Sequence, residues 1–307
     1  MRTNHGSQDY LQLDSYYTIG HFHLFCQDYA LHGWEPLPHL IVADGCSSAP
    51  NSDLGARLLA LSARQFLPVF AGAVSENERL AQHWTLGRRI VRRAARQARH
   101  LGLDDEVLDT TLLVAWCDGA TVFAHLYGDG CLALRRADGA VETIRVDYAE
   151  NAPYYLSYLL DAERQDLYRE AVAPAERAQK VRYCSTVGER SSQQPFDTPT
   201  LFAFDLREFP MVALATDGLD SLLSTDNGTR LALPSVARAL LDIPVDHAGA
   251  FVQRTLYQIL FEYAQQQIVN SDDIGLGVFA RLDAMDADTA WSAPLASAWF
   301  DQDTLED

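Results

Sequence analysis

Aspartates recur in this chain at or beside the ends of apolar runs, a placement suited to holding a hard divalent cation. Asp28 lies in LFCQDYAL, and Asp44 closes HLIVA and precedes Gly45. Asp217 closes MVALAT and precedes Gly218, while Asp272 and Asp273 open IGLGVFA. At a strand end a rigid scaffold gives way to solvent, so a carboxylate there is held firmly and stays accessible. A glycine after the aspartate lets the backbone turn sharply and lets its carbonyl face the same ion. One Asp-Gly pair after a strand is an ordinary turn; VADG, ATDG and a Ser-Asp-Asp together point to a cation site. Magnesium and manganese favour oxygen ligands in octahedral geometry. A bridging aspartate, one or two further aspartates and a backbone carbonyl would hold two such ions.

The elements that must position these groups are mostly strands. Alternating or continuous apolar runs predict strands over 21–31, 39–43, 111–117, 121–127, 131–136, 140–146, 201–205, 211–215 and 274–281. Asp118-Gly119 and Asp138-Gly139 suit two-residue turns with positive φ, which predicts two antiparallel hairpins. Helical periodicity covers 53–69, 76–101, 235–242 and 249–268. In the first of these, Leu54, Leu58 and Leu61 share a stripe, and Ser52 or Asp53 is the expected N-cap. In the last, Phe251, Leu256, Ile259, Leu260 and Tyr263 form an apolar side. Strand blocks with internal hairpins between helix pairs predict an α+β layered fold rather than a parallel doubly wound sheet. The pattern blurs over 147–200, a tyrosine-rich stretch that reads as an inserted flap or as connecting structure.

Composition narrows the function. The 307 residues can bury a sizeable core. No run approaches the ~20 apolar residues that span a bilayer, and the N-terminus lacks a signal-peptide core, so a cytoplasmic protein is expected. Five scattered cysteines without a CxxC pair suggest free thiols in a reducing compartment. Forty-two acidic against 24 basic residues, a net charge of −18, argue against a nucleic-acid-binding surface. The basic run 88–99 is expected to be a solvated helix face paired with acidic neighbours. After Arg281 the chain is acidic and contains no basic residue, so 283–307 reads as a tail appended to one domain over 1–282.

The ordered series CQDYA, VADGCSSAPNSDLGARLLA, TTLLVAW, YGDG, LATDGLDSL and SDDIGLGVF, spanning about residues 20 to 280, resembles the motifs of the type 2C, metal-dependent serine/threonine protein phosphatases, in a divergent bacterial branch. The resemblance implies a four-layer αββα sandwich, two antiparallel sheets flanked by helix pairs. It also implies a signalling enzyme that uses two manganese or magnesium ions to hydrolyse phosphoserine and phosphothreonine in phosphoproteins, through a hydroxide bridging the metals. Position by position, it assigns Asp44 to bridge both metals and the Gly45 carbonyl to the second. It assigns Asp217 and Asp272 to the first metal, and Asp28 to the second directly or through water. Asp44, Asp217 and Asp272 are then the catalytic set. Asp129 and Asp273 stand just outside the ligands, and Thr110 and Thr111 are structural.

Three departures from the family pattern stand out. Gln27 replaces a frequent glutamate, and an amide is the poorer ligand. His23 takes the place of an arginine that grips the substrate phosphate and becomes the phosphate-binding candidate. CSSAPNSDLGA replaces a glycine-rich stretch. A cysteine-phosphatase reading of Cys46 fails because no CxxxxxR loop follows it, and no GxSxG elbow supports a serine hydrolase. The remaining alternative is a phosphatase-like binding module without turnover.

Overall fold

The structure is a computed structural model that describes residues 10–243, 245 and 249–282. The acidic tail 283–307 lies outside the described residues. In chain order, β1 (Leu11–Thr18), β2 (Asp28–Gly33) and β3 (His39–Gly45) are followed by α1 (Ser52–Arg64), α2 (Leu67–Ala71) and α3 (Glu76–His100). Then come β4 (Thr110–Cys117), β5 (Thr121–Tyr127), β6 (Gly130–Arg135), β7 (Val141–Tyr148), α4 (Ala162–Ala171), β8 (Ala178–Ser185), β9 (Gly188–Pro195) and β10 (Thr200–Asp205). The chain continues with β11 (Met211–Ala215), β12 (Leu222–Ser224), α5 (Leu233–Leu241), α6 (Phe251–Gln265), β13 (Ile268–Asn270) and β14 (Ile274–Arg281).

Two antiparallel sheets form the centre. One has the order β1-β14-β11-β6-β7-β8-β9 and the other β10-β5-β4-β3-β2. Helices α1 and α3 pack on the five-stranded sheet, and α5 and α6 on the seven-stranded one. The larger apolar cluster joins Leu40 and Val42 of β3 to Ile90 and Ala94 of α3. The second joins Ala213 of β11 and Leu276 of β14 to Val236 and Leu256 on α5 and α6. This is the expected α+β sandwich of two antiparallel sheets flanked by helix pairs. Among the described residues, no helix is long and apolar enough to cross a membrane.

Several local expectations are corrected. Strand β2 begins at Asp28, not at residue 21, because 20–27 is a loop held by the Asp273 carboxylate through the Gly20 and Gln27 amides. The N-cap of α1 is Asn51, in a left-handed conformation, rather than Ser52 or Asp53. That helix buries Gly55, Ala56, Leu59, Ala60 and Ala63 and leaves Leu54 and Leu61 exposed. Small residues face inward because the helix sits close to its neighbours: a Cβ on Gly55 would lie 1.6 Å from the Val107 carbonyl. Beyond Arg64 the chain breaks and restarts as α2, with Pro68 in the first turn, where its missing N–H costs nothing.

Both hairpins form, with longer connections than two residues. Only the glycines of their turns have positive φ, 105° at Gly119 and 84° at Gly139. Asp118 and Asp138 instead accept hydrogen bonds from backbone amides two residues on. Strands β1, β8, β9, β12 and β13 were not signalled by the sequence pattern. In β9 every residue is exposed or half-buried, so no apolar alternation exists to read. In β1, Asp14 interrupts the pattern; it is buried because its carboxylate accepts the Val252 amide at 2.8 Å in the first turn of α6. The basic run lies on α3 with Ile90, Val91, Ala94 and Ala95 buried. Among the described residues, Arg99 pairs with Asp105, while Arg88, Arg89, Arg92 and Arg96 are exposed without an acidic partner.

Candidate metal centre

The ends of both sheets meet at one cavity of about 220 Å³. Asp28, Asp44 and Thr111 lie side by side across β2, β3 and β4, in direct cross-strand register. From the other sheet, Asp217 follows β11 in a tight turn over 217–220, and Asp272 and Asp273 precede β14. Asp129 sits in the short connection between β5 and β6. The cavity is lined by Asp44, Asp129, Asp217, Asp272 and Asp273, together with Gln27, Gly45, Cys46 and Tyr155. Among the described residues, no Lys, Arg or His lines it.

The glycines of the two Asp-Gly pairs serve close packing. Neither Gly45 nor Gly218 has positive φ. A Cβ on Gly45 would lie 2.6 Å from the Ser52 carbonyl, and one on Gly218 would lie 1.6 Å from that of Asp273. The chain therefore presses the turn after β11 onto the residue next to Asp272. This brings aspartates 55 residues apart in sequence to one cavity.

Polar contacts fix several of these groups. Thr216 donates to Asp28 Oδ2 at 2.7 Å while its hydroxyl accepts the Gly275 amide at 2.9 Å. Asp28 is thereby buried beside Asp44, its cross-strand neighbour, rather than lining the cavity. Asp273 is buried, and its two oxygens accept the Gly20 and Gln27 amides at 2.6 Å each. Ser221 Oγ accepts the Asp272 amide at 3.2 Å. Gln27 donates through Nε2 to Ser52 Oγ at 2.5 Å and to the Cys46 carbonyl at 3.3 Å, which fastens the loop that follows Gly45. His23 stands beside the cavity, with Nδ1 3.0 Å from Asp273 and Nε2 3.5 Å from Asp272. Arg145 pairs with Asp147 and Asp220 at the edge of the site.

Burial pushes the carboxyls of Asp44, Asp28 and Asp129 well above the usual range, and their negative neighbours push them further. Asp217 is raised by burial and by Asp272, with Arg145 opposing. So many buried acids with so little positive charge are costly unless a cation joins them. The donors facing the cavity are almost all oxygens, which suits magnesium or manganese. The buried Thr111 hydroxyl, a lining group, has no hydrogen-bond partner among the described residues. These residues fit a divalent ion. Among the described residues, no three His, Cys, Asp or Glu side chains are already arranged to enclose one. Binding would therefore draw the carboxylates inward.

Some contributors carried no signal among the aspartates. Thr216 lies within ATDG and Ser221 three residues beyond it, so both could have been sought as neighbours of Asp217. Asp109 reaches the site through its carbonyl, which accepts the Cys46 amide at 2.9 Å. Its carboxylate accepts from Ser157 and Arg164, both at 2.5 Å. That link ties the cavity floor to the 147–200 stretch, which also contributes Asn151, Pro153 and Tyr155 to the lining. Thr110 is buried, with its hydroxyl on the Thr111 carbonyl.

A family model described as protein phosphatase 2C matches residues 21–244. No curated protein matches the chain in sequence. Among solved structures, the chain is similar to a bacterial serine phosphatase at 12% identity, with a TM-score of 0.54, covering 89% of this chain and 98% of the other. Serine/threonine phosphatase Stp1 from Staphylococcus aureus matches at 13% identity and a TM-score of 0.53, over 88% of this chain and 94% of that one. PppA, a regulatory component of T6SS in Pseudomonas aeruginosa, matches at 19% identity and a TM-score of 0.51, over 89% and 98%. At these identities the three structures establish a shared fold.

Proposed function

Because the chain belongs to the protein phosphatase 2C family, we propose that it hydrolyses phosphoserine and phosphothreonine in phosphoproteins with the help of two divalent ions, manganese or magnesium. The observation that carries this reading is the cavity between the two sheets, lined among the described residues by five aspartates and no basic residue. Asp44, Asp217 and Asp272 would hold the ions, with the Gly45 carbonyl and Asp28 completing the second position and Asp129 beside them. Such ions, when bound, make water a competent nucleophile near neutral pH and neutralise charge on the phosphoryl oxygens.

The remaining work falls to the protein. Thr216 orients Asp28, and through it Asp44. Gln27 holds the 46–52 loop so that the Gly45 carbonyl stays at the cavity. Asp273 fixes the 20–27 loop and stands next to Asp272. His23, kept at the rim by Asp272 and Asp273, offers a cation to the substrate phosphate when protonated. Residues 1–282 act as one catalytic unit in this reading, with 147–200 shaping access for protein substrates. Five free cysteines accord with a reducing, cytoplasmic setting.

The test is hydrolysis of p-nitrophenyl phosphate and of a phosphothreonine peptide with manganese, with magnesium and with EDTA. Turnover should require a metal, stop on chelation and be nearly abolished in Asp217→Asn. A folded protein without turnover under either metal would instead identify a phosphatase-like binding module. Wild-type hydrolysis in Asp217→Asn would overturn the metal assignment.

A further inference from the structure

The loop between β1 and β2 reads as a strand in sequence because Phe22, Leu24 and Phe25 mimic apolar alternation, yet its apolar side chains face solvent. Ile19, Phe22, Leu24 and Phe25 are all exposed, Leu24 at 95%. Four of the fourteen large apolar side chains exposed among the described residues thus fall within seven positions. Scattered apolar residues on a surface need no explanation, whereas a cluster of them marks a place of contact.

The cluster is held in shape from both sides. Asp273 accepts the Gly20 and Gln27 amides, the His21 amide donates to the Asn270 carbonyl at 2.8 Å, and Asn270 Nδ2 donates to the Ile19 carbonyl at 2.9 Å. A surface ordered beforehand loses little entropy when it is covered. Its place is set by the same bonds. Gln27 at one end of the loop lines the cavity, and His23 within it touches both Asp272 and Asp273.

We propose that this apolar tip is the docking surface for an apolar residue flanking the phosphorylated serine or threonine of a protein substrate. The inference rests on the phosphatase reading above. A phosphoserine side chain is short, so a phosphate that enters the cavity draws the peptide backbone down to the rim, and its neighbouring residues cross the 20–27 loop. Recognition of a phosphate by carboxylate-held ions carries no sequence information. Discrimination among phosphoproteins must then come from surfaces beside the cavity, and this loop is an anchored apolar one continuous with it.

The experiment compares two fluorescein-labelled peptides that carry a non-hydrolysable phosphonate in place of phosphothreonine. One has leucine and phenylalanine next to that residue and the other has serines. Affinities are read by anisotropy with manganese for the wild type, Leu24→Ser, Leu24→Ser/Phe25→Ser and the conservative Leu24→Ile. The wild type should bind the apolar peptide about tenfold more tightly, the order expected for covering part of a leucine side chain. The ratio should fall toward one in the serine variants and persist in Leu24→Ile. Turnover of p-nitrophenyl phosphate should stay within about twofold throughout, because none of these residues lines the cavity. Equal affinity of the wild type for both peptides, or an unchanged ratio in Leu24→Ser/Phe25→Ser, would overturn the proposal. Absence of p-nitrophenyl phosphate turnover with either metal would overturn the phosphatase reading instead, and the affinity ratio would still decide whether the loop docks an apolar residue.

Discussion

Thr216 Oγ is the smallest part on which the proposed chemistry depends. It joins Asp28 on one sheet to the Gly275 amide on the other, and through Asp28 it reaches Asp44. Groups that orient a ligand in this way typically contribute 10–100-fold to metal affinity. Thr216→Val keeps the shape and removes the hydroxyl, so it should weaken manganese binding by about that factor while the protein stays folded. Activity titrated against manganese, with circular dichroism as the control, checks this. Wild-type affinity in the variant would remove Thr216 from the positioning set. Among single residues the sequence exposed the aspartates well, because a carboxylate next to glycine at a strand end stands out. It gave no sign that Gln27 would be committed through its amide to Ser52 and Cys46, since that bond joins segments brought together only by the fold.

At the level of elements, α3 meets β5 through two buried histidines. His83 and His125 lie 3.2 Å apart through their Nδ1 atoms, and both Nε2 atoms lack a partner among the described residues. Phe70, Trp116 and Tyr127 surround them, and Arg79 adds repulsion for a charged His125. Burial lowers the pKa of His125 to about 3 and that of His83 well below its ordinary value. Both are neutral in the folded state, whereas the unfolded chain takes up their protons below a pH of about 6.5. The unfolded state therefore binds more protons below that value, and stability falls as pH drops from about 6.5 toward the folded pKa. The loss approaches about 1.4 kcal/mol per pH unit for each histidine. His125→Phe should show a shallower loss than the wild type in urea denaturation between pH 6.5 and 4.5, and an identical slope would exclude this account. The same elements show what sequence could reveal. Strands β11 and β14 were legible end to end because they are buried on both faces. Strand β9 was not, because a solvated edge carries no apolar period. The stripe expected on α1 failed because close helix packing put Gly55, Ala56, Ala60 and Ala63 with Leu59, rather than Leu54 and Leu61, on the inner face.

Over the whole molecule, charge is unevenly distributed. The chain carries a net charge of −18, with aspartates concentrated at one cavity and, along α3, Arg88, Arg89, Arg92 and Arg96 exposed without an acidic partner among the described residues. A divalent ion that binds the folded cavity and not the unfolded chain should stabilise the protein by mass action, by about 2.7 kcal/mol at a hundredfold excess over its dissociation constant. Thermal unfolding of the full chain should therefore shift upward with manganese or magnesium and return with EDTA. Asp217→Asn should blunt the shift, and sodium chloride at matched ionic strength should not reproduce it. An equal shift in Asp217→Asn would place the stabilising ion elsewhere.

The two sheets pack closely where β14 crosses β3. A Cβ on Gly277 would lie 3.2 Å from Leu40, and one on Gly275 would lie 2.9 Å from Val42. Since each sheet supplies its own share of the aspartates, the thickness of the sandwich at these glycines sets the span between them. A methyl group added at Gly277, far from any phosphate, would act as a wedge and misalign the halves of the site. If the chain turns over phosphate esters as proposed, its turnover doubles as a gauge of core thickness, and selection for turnover would guard glycines that a stability screen alone would treat as ordinary packing.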